Sequence, residues 1–363
     1  MHQGDQDVIA SQQAISAQLR GSQSKHDCIP RVELGLWALW EHIVNTRPYR
    51  NAAGWLLASG IRLSGALRRA YLSSRQSHST SALFFHNPSR QQFTSVVGWF
   101  RDRGYRFLSL EELEDHLLNG KTLPQASVYI SLDDAYRRNL TEVLPVVKEW
   151  NLPVTIFVPV DEVLRGAFWF SHGLGHPESL PKPFRKNPRQ LWYVPNETRR
   201  AIIDDLFRLV PPRAREVMSA EEVAEISNIP QVTIGSHSMT HAILPMCTTE
   251  ELLMEISDSK RILEQWTGRP VRAFCYPNGD YDNRTGSALA QAGYSLAFTT
   301  EPRPIALTDH RYYLPRCSIM DDGSLTENLC HAFGLWSPVI HMVRWTERYL
   351  GTSLASTARG SIE

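Results

Sequence analysis

Two adjacent aspartates, Asp133 and Asp134, and two histidines four residues apart, His237 and His241, are the side chains whose types and spacing best suit chemistry. The histidines sit in GSHSMTH, where imidazoles at this spacing reach the same side of a helical turn and can chelate one ion. Joined by an aspartate they form a His₂Asp set, which leaves a position on a divalent cation open for water. Each feature alone has a plainer reading. An Asp pair after a strand often starts a turn or caps a helix, and histidines at this spacing occur on ordinary helices. Three other residues fall at the ends of apolar runs: His86 closing ALFFH, Tyr276 in YPNG, and Arg316 in LPRCSI. Singly, these read as a satisfied histidine, a turn and a surface ion pair. The constellation is stronger than its members.

Those residues can meet only if the elements before them share one sheet. From residue 82 short apolar runs alternate with helical patterns, which is how a parallel sheet or barrel with crossover helices is written. ALFFH, YRFLSL, SVYISLDD, PVTIFVPV, QVTIGSHS, VRAFCYPNG, YSLAFTT and YYLPRCSI read as strands. Between them, QQFTSVVGWFRDRG, EELEDHLLNG, LTEVLPVVKEW, TTEELLMEISDSKRILEQWTG and RTGSALAQAG read as helices. In α/β barrels the chemistry gathers where strands end and loops begin, where these polar residues stand. Residues 161–217 break the rhythm. Their proline-rich, aromatic sequence is too long for an ordinary connection and reads as a functional loop or lid carrying Trp169, His172, His176 and Trp192.

Outside that region, residues 1–30 are polar, rich in Gln and Ser, and read as a disordered tail. Residues 31–80 read as a helical extension with Trp37, Trp40, Trp55, Leu56, Leu57 and Leu63 on its apolar faces. Packing on the barrel is the commoner fate of such helices. Their tryptophans, with Arg62, Arg68 and Arg69, also suit peripheral contact with a membrane through residues 31–72. The barrel domain is expected over 81–320, and a C-terminal helix and tail over 321–363.

Lys+Arg and Asp+Glu both number 38 in 363 residues, so the broad positive field of a nucleic-acid binder is missing. The five cysteines are widely spaced and never form CxxC, which argues against a disulfide framework and a thiolate metal site. With no secretory start and no apolar run near the ~20 residues that span a bilayer, the expected location is cytoplasmic, with membrane association if the N-terminal helices make that contact.

The motifs carry a resemblance. SLDDAY resembles the first motif of the polysaccharide deacetylases (the NodB homology domain, carbohydrate esterase family 4), GSHSMTH their HSxxH motif, and FCYPNGDYD their third. Their order and strand contexts also fit, from FFH to LPRCSI over roughly residues 81–320. The resemblance implies a deformed (β/α)₇ barrel that removes an acetyl group from an N-acetylated sugar, glycan or sugar precursor with a divalent metal. Zn²⁺ is the first expectation, and Fe²⁺, Co²⁺ or Ni²⁺ also suit the donors. Carried over residue by residue, Asp134, His237 and His241 would be the ligands and Asp133 the base, with the Tyr276 backbone N–H helping to hold the oxyanion. The sequence departs from the family at Ala135, where glycine is usual, and in lacking the late Leu-x-His motif on its last strand. Leu329, Cys330 and His331 match those letters but read as helix. In an exopolysaccharide branch of the family an early strand-end histidine acts as the acid. Here that residue would be His86, with Arg316 pairing Asp133. Two alternatives stand beside this: the same barrel and metal acting on an O-acetyl ester, formamide or cyclic amide, and an inactive carbohydrate-binding scaffold using FWFSHGLGH as a sugar platform.

Overall fold

A computed structural model describes residues 47–338. The expected tail 1–30, residues 31–46 of the helical extension and 339–363 of the C-terminal segment lie outside the described residues. Helix α1 (Arg47–Leu63) carries Pro48 in its first turn, where a missing N–H leaves no helical bond unmade. Helix α2 (Ala66–Ser74) follows, and β1 (Ser79–Phe85) begins at the end of the stretch that reads as a helical extension.

The core is a mixed α/β fold around a curled, mostly parallel sheet. Strands β2 (Arg106–Leu108), β3 (Ser127–Leu132), β4 (Val154–Val158), β5 (Val232–Ser236), β6 (Ala273–Cys275) and β7 (Leu296–Phe298) follow in sequence. The spatial order is β7-β6-β5-β4-β3-β1, and β2 pairs with β3 at an offset from this path. Two short strands come last: β8 (Ile305–Ala306), antiparallel to β1, and β9 (Cys317–Ser318), parallel to it. Helices fall on the sheet's outer side because each strand alternates its faces. On β3, Val128, Ile130 and Leu132 join the layer beneath the helices, whereas Tyr129 points inward and stacks on Phe298 at 5.1 Å. That alternation carries Ser131 and Asp133 to the inside.

The two edges of the sheet are joined by one segment. Leu314 exchanges backbone hydrogen bonds with β7, accepting from Thr299 at 2.8 Å and donating to Ala297 at 2.9 Å. Three residues later Cys317 and Ser318 pair with Leu83 and Phe84 of β1. Arg316 lies between these attachments and turns into the interior, its guanidinium 4.5 Å from the centre of the Phe84 ring and 5.3 Å from that of Phe157.

The long helix over Thr249–Thr267 shows how local sequence fixes the scaffold. Thr248 and Glu251 form a reciprocal capping box at its start, and Gly268 closes it at φ 64. Residues 161–217 are not an open loop. They fold into helices over Val160–Arg165, Trp169–Gly175 and Asn196–Leu209 with three 3-10 turns between. Trp169, Leu180, Phe184, Leu191, Ile202, Ile203 and Leu206 give this insertion its own apolar cluster. The prolines that read as loop punctuation start the 3-10 turns, where a proline's missing N–H does no harm. The Leu329–His331 stretch is helical, within Leu325–Ala332, and His331 packs against Trp336 on the barrel flank.

Candidate active site

Asp133 follows β3 and is tied to β1, its N–H donating to the Phe85 carbonyl at 2.8 Å. Its carboxylate is gripped from the far end of the domain. Arg316 Nη1 donates to Oδ1 and Nη2 to Oδ2, both at 2.8 Å, and Nη1 also donates to Ser131 Oγ at 2.8 Å. Both partners are buried. Burial pushes the Asp133 carboxyl up, but the charge and hydrogen bonds of Arg316 outweigh it and hold the group below the usual carboxylate range. A doubly held carboxylate keeps lone pairs on both oxygens and can still accept a proton.

Asp134 turns the other way. Its Oδ1 lies 3.4 Å from His237 Nε2 and 3.3 Å from His241 Nε2, and no hydrogen bond satisfies that buried oxygen. The two imidazoles stand edge to face with their centres 4.9 Å apart. A buried carboxylate oxygen without a donor, facing two ring nitrogens, is costly unless something positive completes it. The three donors fit a divalent cation of the zinc class, and all their ligand atoms lie within 4.8 Å of one another. His237 is aimed through its other nitrogen, where Nδ1 and the Cys275 carbonyl are 2.8 Å apart. His241 Nδ1 is buried with no partner.

Asp133, His237 and Cys275 also cluster. That set suits an ion poorly, because Arg316 holds both Asp133 oxygens and burial pushes the Cys275 thiol far above its ordinary value, keeping it protonated.

The histidines converge by a route other than the helical turn that their spacing suggests. Residues 237–241 are not helical, and Ser238 and His241 have left-handed backbones at φ 66 and 50. Asp134 and Ala135 are left-handed too, at φ 72 and 50. Such conformations cost a non-glycine residue about 1–2 kcal/mol each, and they concentrate in the two turns that carry the donors. Ala135 thus adopts the conformation that glycine takes more readily.

His86 stands one residue past β1, level with Asp133 because Phe85 pairs with Leu132, and Asn139 Nδ2 donates to its carbonyl at 3.0 Å. The expectation for Tyr276 needs correcting. Its N–H donates to the Phe298 carbonyl at 3.1 Å in the β6–β7 ladder, and its hydroxyl donates to the Tyr312 carbonyl at 2.8 Å. The N–H named as an oxyanion donor is already engaged. Sequence reading also missed Arg199, Thr240 and Glu255, a buried polar group behind His241. No motif marks it, because Arg199 reaches two backbone carbonyls and a hydroxyl about forty residues away as well as its helix neighbour Asn196.

Residues 120–297 match the profile of the family described as Polysaccharide deacetylase. The chain is 22% identical over 240 residues to the poly-beta-1,6-N-acetyl-D-glucosamine N-deacetylase of Staphylococcus aureus (strain MSSA476), covering 66% of this chain and 69% of that one. A Bacillus subtilis (strain 168) protein that carries the name of a polysaccharide deacetylase, YxkH, is 23% identical over 230 residues. That match covers 63% of this chain and 64% of the relative's length. Among solved structures, IcaB from Ammonifex degensii superposes with a TM-score of 0.52 at 19% identity, over 71% of this chain and 98% of its own. The Streptococcus pyogenes deacetylase PplD in complex with acetate gives 0.50 at 18%, over 69% and 96%. Both share the fold described above.

Proposed function

Residues 120–297 belong to the polysaccharide deacetylase family, and from that premise we propose that the chain is a metal-dependent hydrolase removing acetyl from N-acetylated sugar units of a glycan. The relatives named as N-deacetylases support the reaction class. The observation that carries the reading is the meeting of Asp134 with His237 and His241 while Asp133, the residue before it, stands outside that set of donors and is ion-paired to Arg316.

Asp134, His237 and His241 would hold the cation, for which we propose zinc. When bound, it supplies Lewis-acid polarisation of the acetyl carbonyl and makes water more acidic. Asp133 acts as the base, taking a proton from the attacking water, and Arg316 keeps it ionised for that role. His86, level with Asp133 at the end of β1, protonates the departing amine. A cavity of about 640 Å³ reaches Asn87, the residue after His86, and is lined also by Tyr136, Arg137, Arg138, Phe168, Ser171 and Arg215. This mixture of aromatic faces and polar groups suits a saccharide.

We further place the protein in a reducing compartment, the cytoplasm, where it works on a glycan precursor. The four described cysteines are all free and buried, which supports that setting. Peripheral contact with an anionic membrane is part of the same proposal. Helix α1 presents Trp55, Leu56 and Leu63 to solvent, and residues 47–75 hold six arginines and no acidic residue. Among the described residues no helix is long and apolar enough to cross a membrane.

The test is acetate release from N-acetylglucosamine oligomers by zinc-loaded protein. Asp134→Ala and His237→Ala should each abolish both zinc binding and turnover, and His86→Gln should slow turnover at unchanged zinc affinity. Full activity in Asp134→Ala would remove the proposed site. Faster turnover of an O-acetyl ester, formamide or cyclic amide on the same panel would move the reading to that bond, and glycan binding without hydrolysis of any substrate would make the protein a binding scaffold.

A further inference from the structure

His237 and His241 are positioned by different means. The ring of His237 is fixed through its own Nδ1 by the Cys275 carbonyl, whereas the ring of His241 has no hydrogen bond at Nδ1. The aim of His241 must therefore come from its backbone, which is left-handed and under strain. That backbone is held by the insertion. Arg199, buried on the helix Asn196–Leu209, donates from Nη1 to the Thr240 carbonyl at 3.0 Å and to the His241 carbonyl at 3.3 Å. Its Nη2 donates to Thr240 Oγ1 at 2.6 Å and to Asn196 Oδ1 at 2.8 Å. From the opposite side Glu255 accepts from the Thr240 N–H at 2.8 Å and from Thr240 Oγ1 at 2.6 Å.

We infer that Arg199 is a positioning residue for the metal site: the insertion clamps the Thr240 and His241 carbonyls through its guanidinium and so aims His241 at the ion. The inference rests on the deacetylase reading of Asp134, His237 and His241. The chemistry of the clamp separates this role from simple packing. Among the described residues Arg199 has no carboxylate within ion-pair distance, and its loss leaves the Thr240 and His241 carbonyls and Asn196 Oδ1 short of a donor, so a lower Tm alone does not distinguish the two roles. Its planar fork, however, can hold two successive carbonyls and a hydroxyl at once, which neither methionine nor lysine reproduces.

The test measures zinc dissociation constants by competition with a chromogenic chelator, alongside thermal unfolding, for the full chain carrying Arg199→Met, Arg199→Lys, Glu162→Gln or Asp134→Ala. Glu162 is included because it is buried near His241 with one oxygen lacking a partner. Outer-shell partners typically change metal affinity by 10–100-fold. Arg199→Met should therefore bind zinc about 10–100-fold more weakly, with Arg199→Lys between it and the parent. Excess zinc should restore kcat, with KM unchanged throughout. A role in packing alone would lower Tm and leave the zinc constant at its parent value. Folded Arg199→Met with parental affinity overturns the inference, and should that variant fail to fold, Arg199→Lys with parental affinity does the same. Weakening in Glu162→Gln but not in the Arg199 variants assigns the aim of His241 to Glu162 and also overturns it. Parental zinc binding that Asp134→Ala abolishes and the Arg199 variants keep sinks the clamp alone, whereas no zinc binding by the parent sinks the deacetylase reading and the clamp with it.

Discussion

Replacing Arg316 with methionine removes a cation from a place that water does not reach, and the structure sets the size of the effect. The guanidinium and its partner carboxylate are both buried and share two charge-assisted hydrogen bonds of 2.8 Å, with a further one to Ser131 Oγ. Methionine fills much of the volume, so the loss is mainly electrostatic: a carboxylate buried without its counter-charge. Removing one side of such a pair costs about 3–5 kcal/mol. At roughly 2 °C per kcal/mol for a domain of this size, Tm should fall by about 5–10 °C near neutral pH. The pH dependence follows from the sign of the shift. In the parent, burial raises the Asp133 carboxyl and Arg316 lowers it further, leaving it below its ordinary value. The pair thus contributes stability that is present above the unfolded aspartate pKa of about 3.9 and is lost as pH falls through the lower folded value. In Arg316→Met the guanidinium no longer opposes burial, the carboxyl rises above its unfolded value, and acid relieves the variant. The Tm gap should shrink between about pH 8 and about pH 5 in chelator-treated protein. In zinc-loaded protein the acid limb of kcat/KM for acetate release should move to higher pH. Calorimetry at the two pH values and a rate profile between them check this, and a Tm gap that stays constant together with an unmoved limb would refute the reasoning.

Two other outcomes follow from geometry elsewhere. Gly235 on β5 has no room for a side chain, since an added Cβ would stand 2.5 Å from the Phe157 ring, which itself lies against Arg316. Gly235→Ala should lose about 1–3 kcal/mol and some turnover with it, and an unchanged denaturant midpoint would contradict this packing. Full-length protein should co-sediment with vesicles containing phosphatidylglycerol but not with neutral ones, and Leu56→Glu with Leu63→Glu should abolish this while leaving activity on soluble substrate intact. Parent protein remaining in the supernatant with anionic vesicles ends the membrane proposal.

Strand ends were legible because an apolar run that stops at a charged or polar residue marks where a buried strand meets a loop, as at Leu132–Asp133 and Ser236–His237. Direction was harder to read. Four apart suggested a helical turn for His237 and His241, but left-handed residues bring them together, and backbone hand at Ser238 leaves no trace in residue type. Tyr276 shows a similar limit, since which N–H groups remain free depends on strand pairing and not on the motif. The insertion reads as a loop because its prolines look like breakers, whereas in the fold they start 3-10 turns. Arg199 could not be seen at all, because a lone arginine on a helix looks like a solvated charge until its partners are known.

The segment from Leu314 to Ser318 closes the sheet and delivers the counter-charge of Asp133 across 183 residues of sequence. A chain emerging from the ribosome therefore has its cation donors, the latest at His241, well before the base acquires its partner. Cleavage or early termination ahead of Leu314 would leave Asp133 without its counter-charge and the sheet without its closing segment, so on this reading full turnover reports that the whole barrel has been threaded and shut.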